Sequence, residues 1–231
     1  MMKRSILIAI FIFLICIVFV ITACSKSGEE SMGNTQKDKA VLPGNKKTIY
    51  LAGVCFWGVE GYFRRINGVV NTETGYANGK TKDTDYEHLK STDHAETVKV
   101  EYDRSKISLE EILLHYFRII DPTSVNKQGN DVGRQYRTGI YYEKDEDAKI
   151  VEKVMDYESK KHGKLAVESQ KLKNFVMAEE YHQDYLDKNP NGYCHINLNQ
   201  AKQPLIEEDL KFIKKKPIED LDELSRSVMF D

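Results

Sequence analysis

Thr48-Ile49-Tyr50-Leu51, followed by Gly53-Val54-Cys55-Phe56-Trp57-Gly58-Val59-Glu60, is the stretch on which the reading of this chain turns. A β-rich run breaks at a glycine and restarts as a short amphipathic helix, with a cysteine at the junction beside the only tryptophan. Unpaired amides and the positive end of the macrodipole at a helix start favour a thiolate. The position therefore predicts that Cys55 titrates well below the reference of about 8.5. Position alone is met equally well by a small cysteine buried between sheet and helix.

Working outward, the runs Thr48 to Leu51, Val69 to Tyr76, Thr97 to Tyr102 and Thr138 to Tyr142 alternate with helical patterns, and no internal repeat is visible. That order predicts a mixed sheet with helices packed on it. The clearest helix opens at Ser108 with Glu111 three residues on, a capping box. It places Leu109, Ile112, Leu113, Tyr116, Phe117 and Ile120 on one face and ends at Asp121-Pro122. A second helix follows Asp145, turns Ile150, Val151, Val154 and Met155 inward, and stops at His162-Gly163. From Asp121 to Arg137 periodicity is lost and Gly129, Gly133, Asn126, Asn130 and Asp131 collect, which reads as a loop of the functional kind.

The first residues read as an export signal: Lys3 and Arg4 precede an apolar stretch from Ile6 to Ile21 that ends at Thr22-Ala23-Cys24. Ile21-Thr22-Ala23-Cys24 resembles a bacterial lipobox, which implies cleavage before Cys24, lipidation of its thiol and anchoring by acyl chains. The rival reading keeps the segment as a membrane helix. Both put the rest of the chain on the extracytoplasmic side, since the positive flank stays inside. The expected organisation is a signal over 1–23, a flexible tether over 24–47, a catalytic domain over 48–198 and a C-terminal extension over 199–231. The extension reads as a solvated surface segment; the alternative is that Lys214-Lys215-Lys216 touch anionic lipid close to the anchor, which three charges support only weakly. The formal charge of −2 becomes more negative once Lys3 and Arg4 are removed, and nothing in it suggests a nucleic-acid partner. With Cys16 in the signal and Cys24 lipidated, only Cys55 and Cys194 remain of the four cysteines. Such a pair in an exported protein is a structural disulfide or a redox couple.

The Cys55 stretch resembles the active-site signature of methionine sulfoxide reductase A. Further segments follow in the same order: Gly68-Val69-Val70 and Thr74-Gly75-Tyr76, Asp93-His94-Ala95-Glu96, Asp121-Pro122-Thr123, Gln128-Gly129-Asn130-Asp131-Val132-Gly133, Gln135-Tyr136-Arg137, Tyr181-His182-Gln183-Asp184-Tyr185-Leu186, and Asn189-Pro190-Asn191-Gly192-Tyr193-Cys194. The resemblance implies an α/β (α+β) two-layer sandwich around a mixed sheet related to the ferredoxin-like plait. It also implies reduction of the S-epimer of methionine sulfoxide, free or in oxidised proteins.

On this resemblance Cys55 is the nucleophile that becomes a sulfenic acid, Glu96 the acid that protonates the departing oxygen, and Cys194 the thiol that closes a disulfide on Cys55. Phe56 and Trp57 match the apolar wall for the substrate methyl group. Tyr86 and Tyr136 match hydroxyls aimed at the sulfoxide oxygen, and Asp131 matches a carboxylate that orients the substrate amide. No cofactor is implied; a thioredoxin-like protein is the implied reductant. The six histidines show no H-E-x-x-H and the cysteines no C-x-x-C, which argues against a metal.

Two departures stand out. Nine residues separate Tyr86 from Glu96, fewer than in the family pattern, with Asp93 where a glycine is usual, and Val54 also replaces a glycine. His94 is read as a tie between strand and loop, or as a proton shuttle. The competing readings are a cysteine hydrolase pairing Cys55 with His94 or His182, and a lipoprotein binding module stapled by Cys55–Cys194.

Overall fold

The run before Cys55 forms β1 (Lys46–Ala52), an inner strand of a six-stranded sheet in the order β7-β6-β1-β3-β2-β8. The computed structural model describes residues 41–42 and 44–214, so the expectations for the signal, Cys24, most of the tether and residues 215–231 lie outside the described residues. After β1 come α1 (Phe56–Phe63), β2 (Val69–Ala77), α2 (Leu89–Thr92), β3 (Ala95–Asp103) and α3 (Leu109–Ile119). A small ribbon, β4 (Lys127–Gln128) with β5 (Asp131–Val132), precedes β6 (Gly139–Tyr142), α4 (Asp145–His162), β7 (Glu168–Lys171) and β8 (Phe175–Met177). The short α5 (Tyr185–Lys188) and then α6 (Glu207–Lys214) close the described chain. β1 pairs antiparallel with β3 and β6, β2 pairs antiparallel with β3 and β8, and only β6–β7 is parallel. The β-α-β-β-α-β unit from β1 to β6, with the order β6-β1-β3-β2, is the ferredoxin-like plait expected from the resemblance.

The pleat decides which side chains meet the helices. In β3, Val98, Val100 and Tyr102 join the helix-side core with Ile49 and Leu51 of β1. Glu96 has the same parity, so the alternation of the strand turns a carboxyl toward α1. The opposite face carries a smaller cluster of Tyr50, Ala52, Ala77, Ala95 and Tyr141, covered by Leu172 and Phe175. The capping box at Ser108 forms in full, and the buried α3 face includes Ile112, Leu113 and Tyr116. Tyr116 Oη donates to the Ala52 carbonyl at 2.5 Å and accepts from the Gly139 amide at 3.1 Å, which fixes the end of β1 from which the chain turns to Cys55.

Two regions differ from their sequence readings. Within the expected loop from Asp121 to Arg137, β4, β5 and a 3-10 turn at Arg134–Tyr136 are ordered. Buried Gln128 holds both the amide and the carbonyl of Asp121 with its side-chain amide. The expected solvated extension folds back as far as it is described: Leu205 is buried, and Arg118 donates to the carbonyls of Gln200, Gln203 and Pro204. Phe212 stacks on Tyr157 at 4.0 Å, and buried Asp209 accepts from Tyr157 Oη at 2.9 Å and from Lys161 at 2.6 Å. No helix among the described residues is long and apolar enough to cross a membrane.

Candidate active site

Between β1 and α1 the backbone takes two left-handed steps, Gly53 at φ +113° and Val54 at φ +63°. Gly53 is required twice over. Its φ suits glycine, and a Cβ there would lie 2.7 Å from Thr138 Cγ2. Val54 has no such freedom; a β-branched residue in this region stores about 1–2 kcal/mol. The Gly53 amide bonds to the Glu96 carbonyl at 3.2 Å, and Val54 is packed into the core, which together hold the turn.

Cys55 caps α1 and is 7 % exposed. The amides of Trp57 and Gly58 face its sulfur and favour the thiolate, as the sequence suggested. They do not prevail. Burial, reinforced by the nearby charges of Glu96 and Asp131, pushes the thiol up to about 12, so the expectation of a lowered Cys55 is corrected: the resting form is the protonated thiol. Two helix-end amides offset only part of the cost of placing an anion in this dry position.

Glu96, 2 % exposed, lies beside it. Its Oε2 accepts from the Phe56 amide, the first of α1, at 3.3 Å. Burial pushes the carboxyl up to about 8 against that bond, with the Asp131 charge adding to the rise, so it is mostly a neutral acid at pH 7. Tyr136 is raised by burial and then by Glu96, Tyr86, Asp131 and Cys55, and Tyr86 by burial and by the charges of Glu96 and Cys55. Cys55, Glu96, Asp131, Tyr86 and Tyr136 are therefore close enough to feel one another's charges. The shortened loop before Glu96 does not remove Tyr86. α2 takes it up, Asp93 ends α2 in the left-handed conformation a glycine would adopt, and its carboxylate grips Arg134 through Nε at 2.6 Å and Nη2 at 3.1 Å. That fork ties the Tyr86 loop to the turn bearing Tyr136.

The two aromatics after Cys55 are placed differently. Phe56 is a core residue, 1 % exposed, against Tyr76 and His182. Trp57 is partly exposed; its Nε1 donates to His182 Nδ1 at 3.0 Å, and its ring lies on Tyr185 at 3.7 Å. His182 is therefore engaged with Trp57, and the main charges acting on Cys55 are carboxylates, an arrangement that does not suit the hydrolase reading. His94 is fully buried with neither ring nitrogen bonded to a described group, and burial keeps it neutral.

Cys194 is half-buried, and both it and the buried Cys55 are free thiols, so no staple joins them. Its Sγ donates to the Ile196 carbonyl at 3.3 Å and lies 3.3 Å from where a Cβ on Gly58 would stand. The second thiol thus rests against the first turn of the helix that Cys55 caps. Among residues not singled out in advance, Tyr193, an exposed side chain, is close enough to Asp131 and Cys55 for their charges to add to the desolvation that raises its hydroxyl. His195 Nδ1 lies 3.8 Å from Asp131 Oδ2. Both flank Cys194 in sequence, which was the one available signal. Among the described residues no group of three or more His, Cys, Asp or Glu side chains is arranged to hold a metal ion.

The profile of the family described as Peptide methionine sulfoxide reductase matches residues 47–213. Among solved structures, Mxr1 from Saccharomyces cerevisiae in reduced form is 42 % identical, covering 66 % of this chain and 90 % of its own, with a TM-score of 0.63. Methionine sulfoxide reductase A of Corynebacterium diphtheriae is 33 % identical over 68 % of this chain and 81 % of its own, also at 0.63. An unusual oxidised form of the yeast protein matches at 38 % identity over 71 % and 94 %, with a TM-score of 0.52. The chain belongs to the peptide methionine sulfoxide reductase family and is a methionine sulfoxide reductase.

Proposed function

We propose that this enzyme reduces the S-epimer of methionine sulfoxide, free or in oxidised proteins, by attack of Cys55 on the sulfoxide sulfur. The observation that carries the reading is the neutral Glu96 carboxyl beside a buried thiol, with a second free thiol packed on the same helix turn. Glu96 donates its proton to the sulfoxide oxygen while the Cys55 sulfur bonds to the substrate sulfur, and the proton lost by the Cys55 thiol replaces the one given up. The oxygen passes to Cys55 as a sulfenic acid and the thioether leaves. Cys194 then attacks Cys55, a disulfide forms, and water departs. A thioredoxin-like dithiol reduces that disulfide and is itself oxidised, which closes the electron balance without a cofactor.

Tyr86 and Tyr136 hold the sulfoxide oxygen, Asp131 the substrate amide, and Trp57 with Phe56 below it the methyl group. We also propose a lipoprotein tethered through Cys24 on the extracytoplasmic side of the membrane; Lys3, Arg4, the apolar run Ile6 to Ile21 and Ile21-Thr22-Ala23-Cys24 support this. The coupled assay tests the catalytic reading. With thioredoxin and its reductase, the S-epimer is turned over and the R-epimer is not; equal turnover of both, or of neither, overturns it. Label from a palmitate analogue that survives Cys24→Ala overturns the anchor.

A further inference from the structure

Glu60, on α1 one turn beyond Phe56, is 1 % exposed yet carries a carboxyl. Its Oε2 accepts from the Asp184 amide at 2.9 Å, and its Oε1 is buried with no hydrogen-bond partner among the described residues. Burial pushes this group up to about 7; Arg64, the Tyr185 backbone amide and Lys188 oppose the rise and Asp187 adds to it. A half-satisfied buried carboxyl costs stability, and an apolar residue between α1 and α5 would pack with less penalty. Stability therefore does not account for it; the bond it makes does.

Asp184 is held in the left-handed conformation, φ +55°, and caps α5. That single step aims the next residue, Tyr185, so that its ring lies on Trp57 at 3.7 Å with the planes 13° from parallel. Two residues before Asp184, His182 accepts from the Trp57 indole N–H at 3.0 Å. Tyr185 also meets Gly192, where a Cβ would stand 2.7 Å from its ring. Gly192 lies two residues before Cys194. The clamp on Trp57 and the start of the recycling segment therefore share one aromatic ring.

We infer that Glu60 is a positioning residue for substrate binding: by holding the Asp184 amide it sets Tyr185 flat against Trp57 and so fixes the wall that receives the sulfoxide methyl. Its consequence for catalysis rests on the proposed role of Trp57. Its consequence for the Trp57 ring does not, and the two are read separately.

Trp57 is the chain's only tryptophan, so emission of the full-length protein in detergent reports this ring alone. Glu60→Met removes the acceptor and Glu60→Gln keeps one. In Glu60→Met the emission moves to longer wavelength, and KM for the sulfoxide rises about tenfold, the scale of one lost apolar contact. The rate of sulfenic acid formation at saturating substrate changes less than about threefold, because only binding is touched. Glu60→Gln stays within about twofold of wild type in KM, since its carbonyl still receives the Asp184 amide. A cooperatively folded Glu60→Met with unchanged emission and KM overturns the inference. Should that variant fail to fold, Tyr185→Leu leaves Glu60 intact and removes the stack; it is expected to move emission and KM alike, and a variant that moves neither overturns the inference as well. Should no form of the protein reduce sulfoxide, emission still decides the placement of Trp57, and the catalytic reading falls on its own.

Discussion

The Glu96 carboxyl accepts from the first amide of α1, that of Phe56, at 3.3 Å, and is thereby held beside Cys55, the residue at the N-cap of the same helix. One helix start thus serves two groups. Cys55 faces the Trp57 and Gly58 amides, Glu96 takes the Phe56 amide, and burial keeps both protonated in the resting enzyme. On the proposed mechanism, the protons that sulfoxide reduction consumes are thus in place before substrate arrives.

Glu96→Gln is expected to lower the single-turnover rate by about 10²–10⁴, the usual contribution of a positioned acid. In the wild type the acid form is present below about 8 and lost above it, so the chemical step slows as pH rises through that value. Rapid-quench measurement across pH checks both; in the variant the alkaline fall is absent.

The same shift has a sign for stability. The folded Glu96 carboxyl titrates near 8 and the unfolded one near its usual value of about 4.3, so stability is fully present below the lower value and declines until the upper one is passed. Glu96→Gln removes that slope. Urea midpoints at pH 5 and pH 8.5 are expected to lie closer together in the variant than in the wild type.

Val54 gives an inverted order of substitutions. At a buried valine, glycine is ordinarily worse than alanine by about 1 kcal/mol. Here φ is +63°, and relief of left-handed strain worth about 1–2 kcal/mol offsets the glycine penalty. Val54→Gly is expected to be no less stable than Val54→Ala by denaturant unfolding.

Gly58 is the seat of Cys194. A Cβ there stands 2.9 Å from Ile196 Cδ1 and 3.3 Å from Cys194 Sγ, so Gly58→Ala has to displace the segment that carries the recycling thiol. Alanine favours the helix by about 1 kcal/mol, so loss of α1 is not the expected outcome. Sulfenic acid formation is expected to persist while closure of the disulfide slows, which trapping with a sulfenic-acid reagent followed by intact mass detects.

The strands and long helices were legible because the strands are β-rich runs and the helices announce their ends, Ser108 and Glu111 for α3 and Gly163 for α4; their order was compatible with the plait, which the resemblance alone singled out. Glu96 was legible by motif, and its burial follows from sharing a face with Val98 and Val100. What was not legible came from tertiary contact. Lys127–Gln128 and Asp131–Val132 are too short to show a period, and the ordering comes from the Gln128 side chain folding back on the Asp121 backbone seven residues earlier. The segment after Asn197 reads as polar because its anchors are few: Leu205, the Asp209 carboxylate and the Phe212 ring. The Cys55 thiol was misread because a helix start is visible in sequence and the dryness around it is not. His182 and Tyr185 could not be joined to Trp57, nor Asp184 to Glu60, from positions more than 120 residues apart.

Phe212→Ala tests the folded tail. Losing a stacked, partly buried ring is expected to cost about 1–3 kcal/mol in urea unfolding. A solvated extension would lose nothing.

The most direct test mixes reduced protein with one equivalent of the S-epimer of methionine sulfoxide, without any other reductant, and follows methionine release beside the intact mass. Wild type is expected to release one methionine and lose two mass units as Cys55 and Cys194 join, Cys194→Ser to release one and retain a sulfenic acid, and Cys55→Ser to release none. Methionine formed by Cys55→Ser at the wild-type rate would contradict the assignment of Cys55 as the attacking thiol.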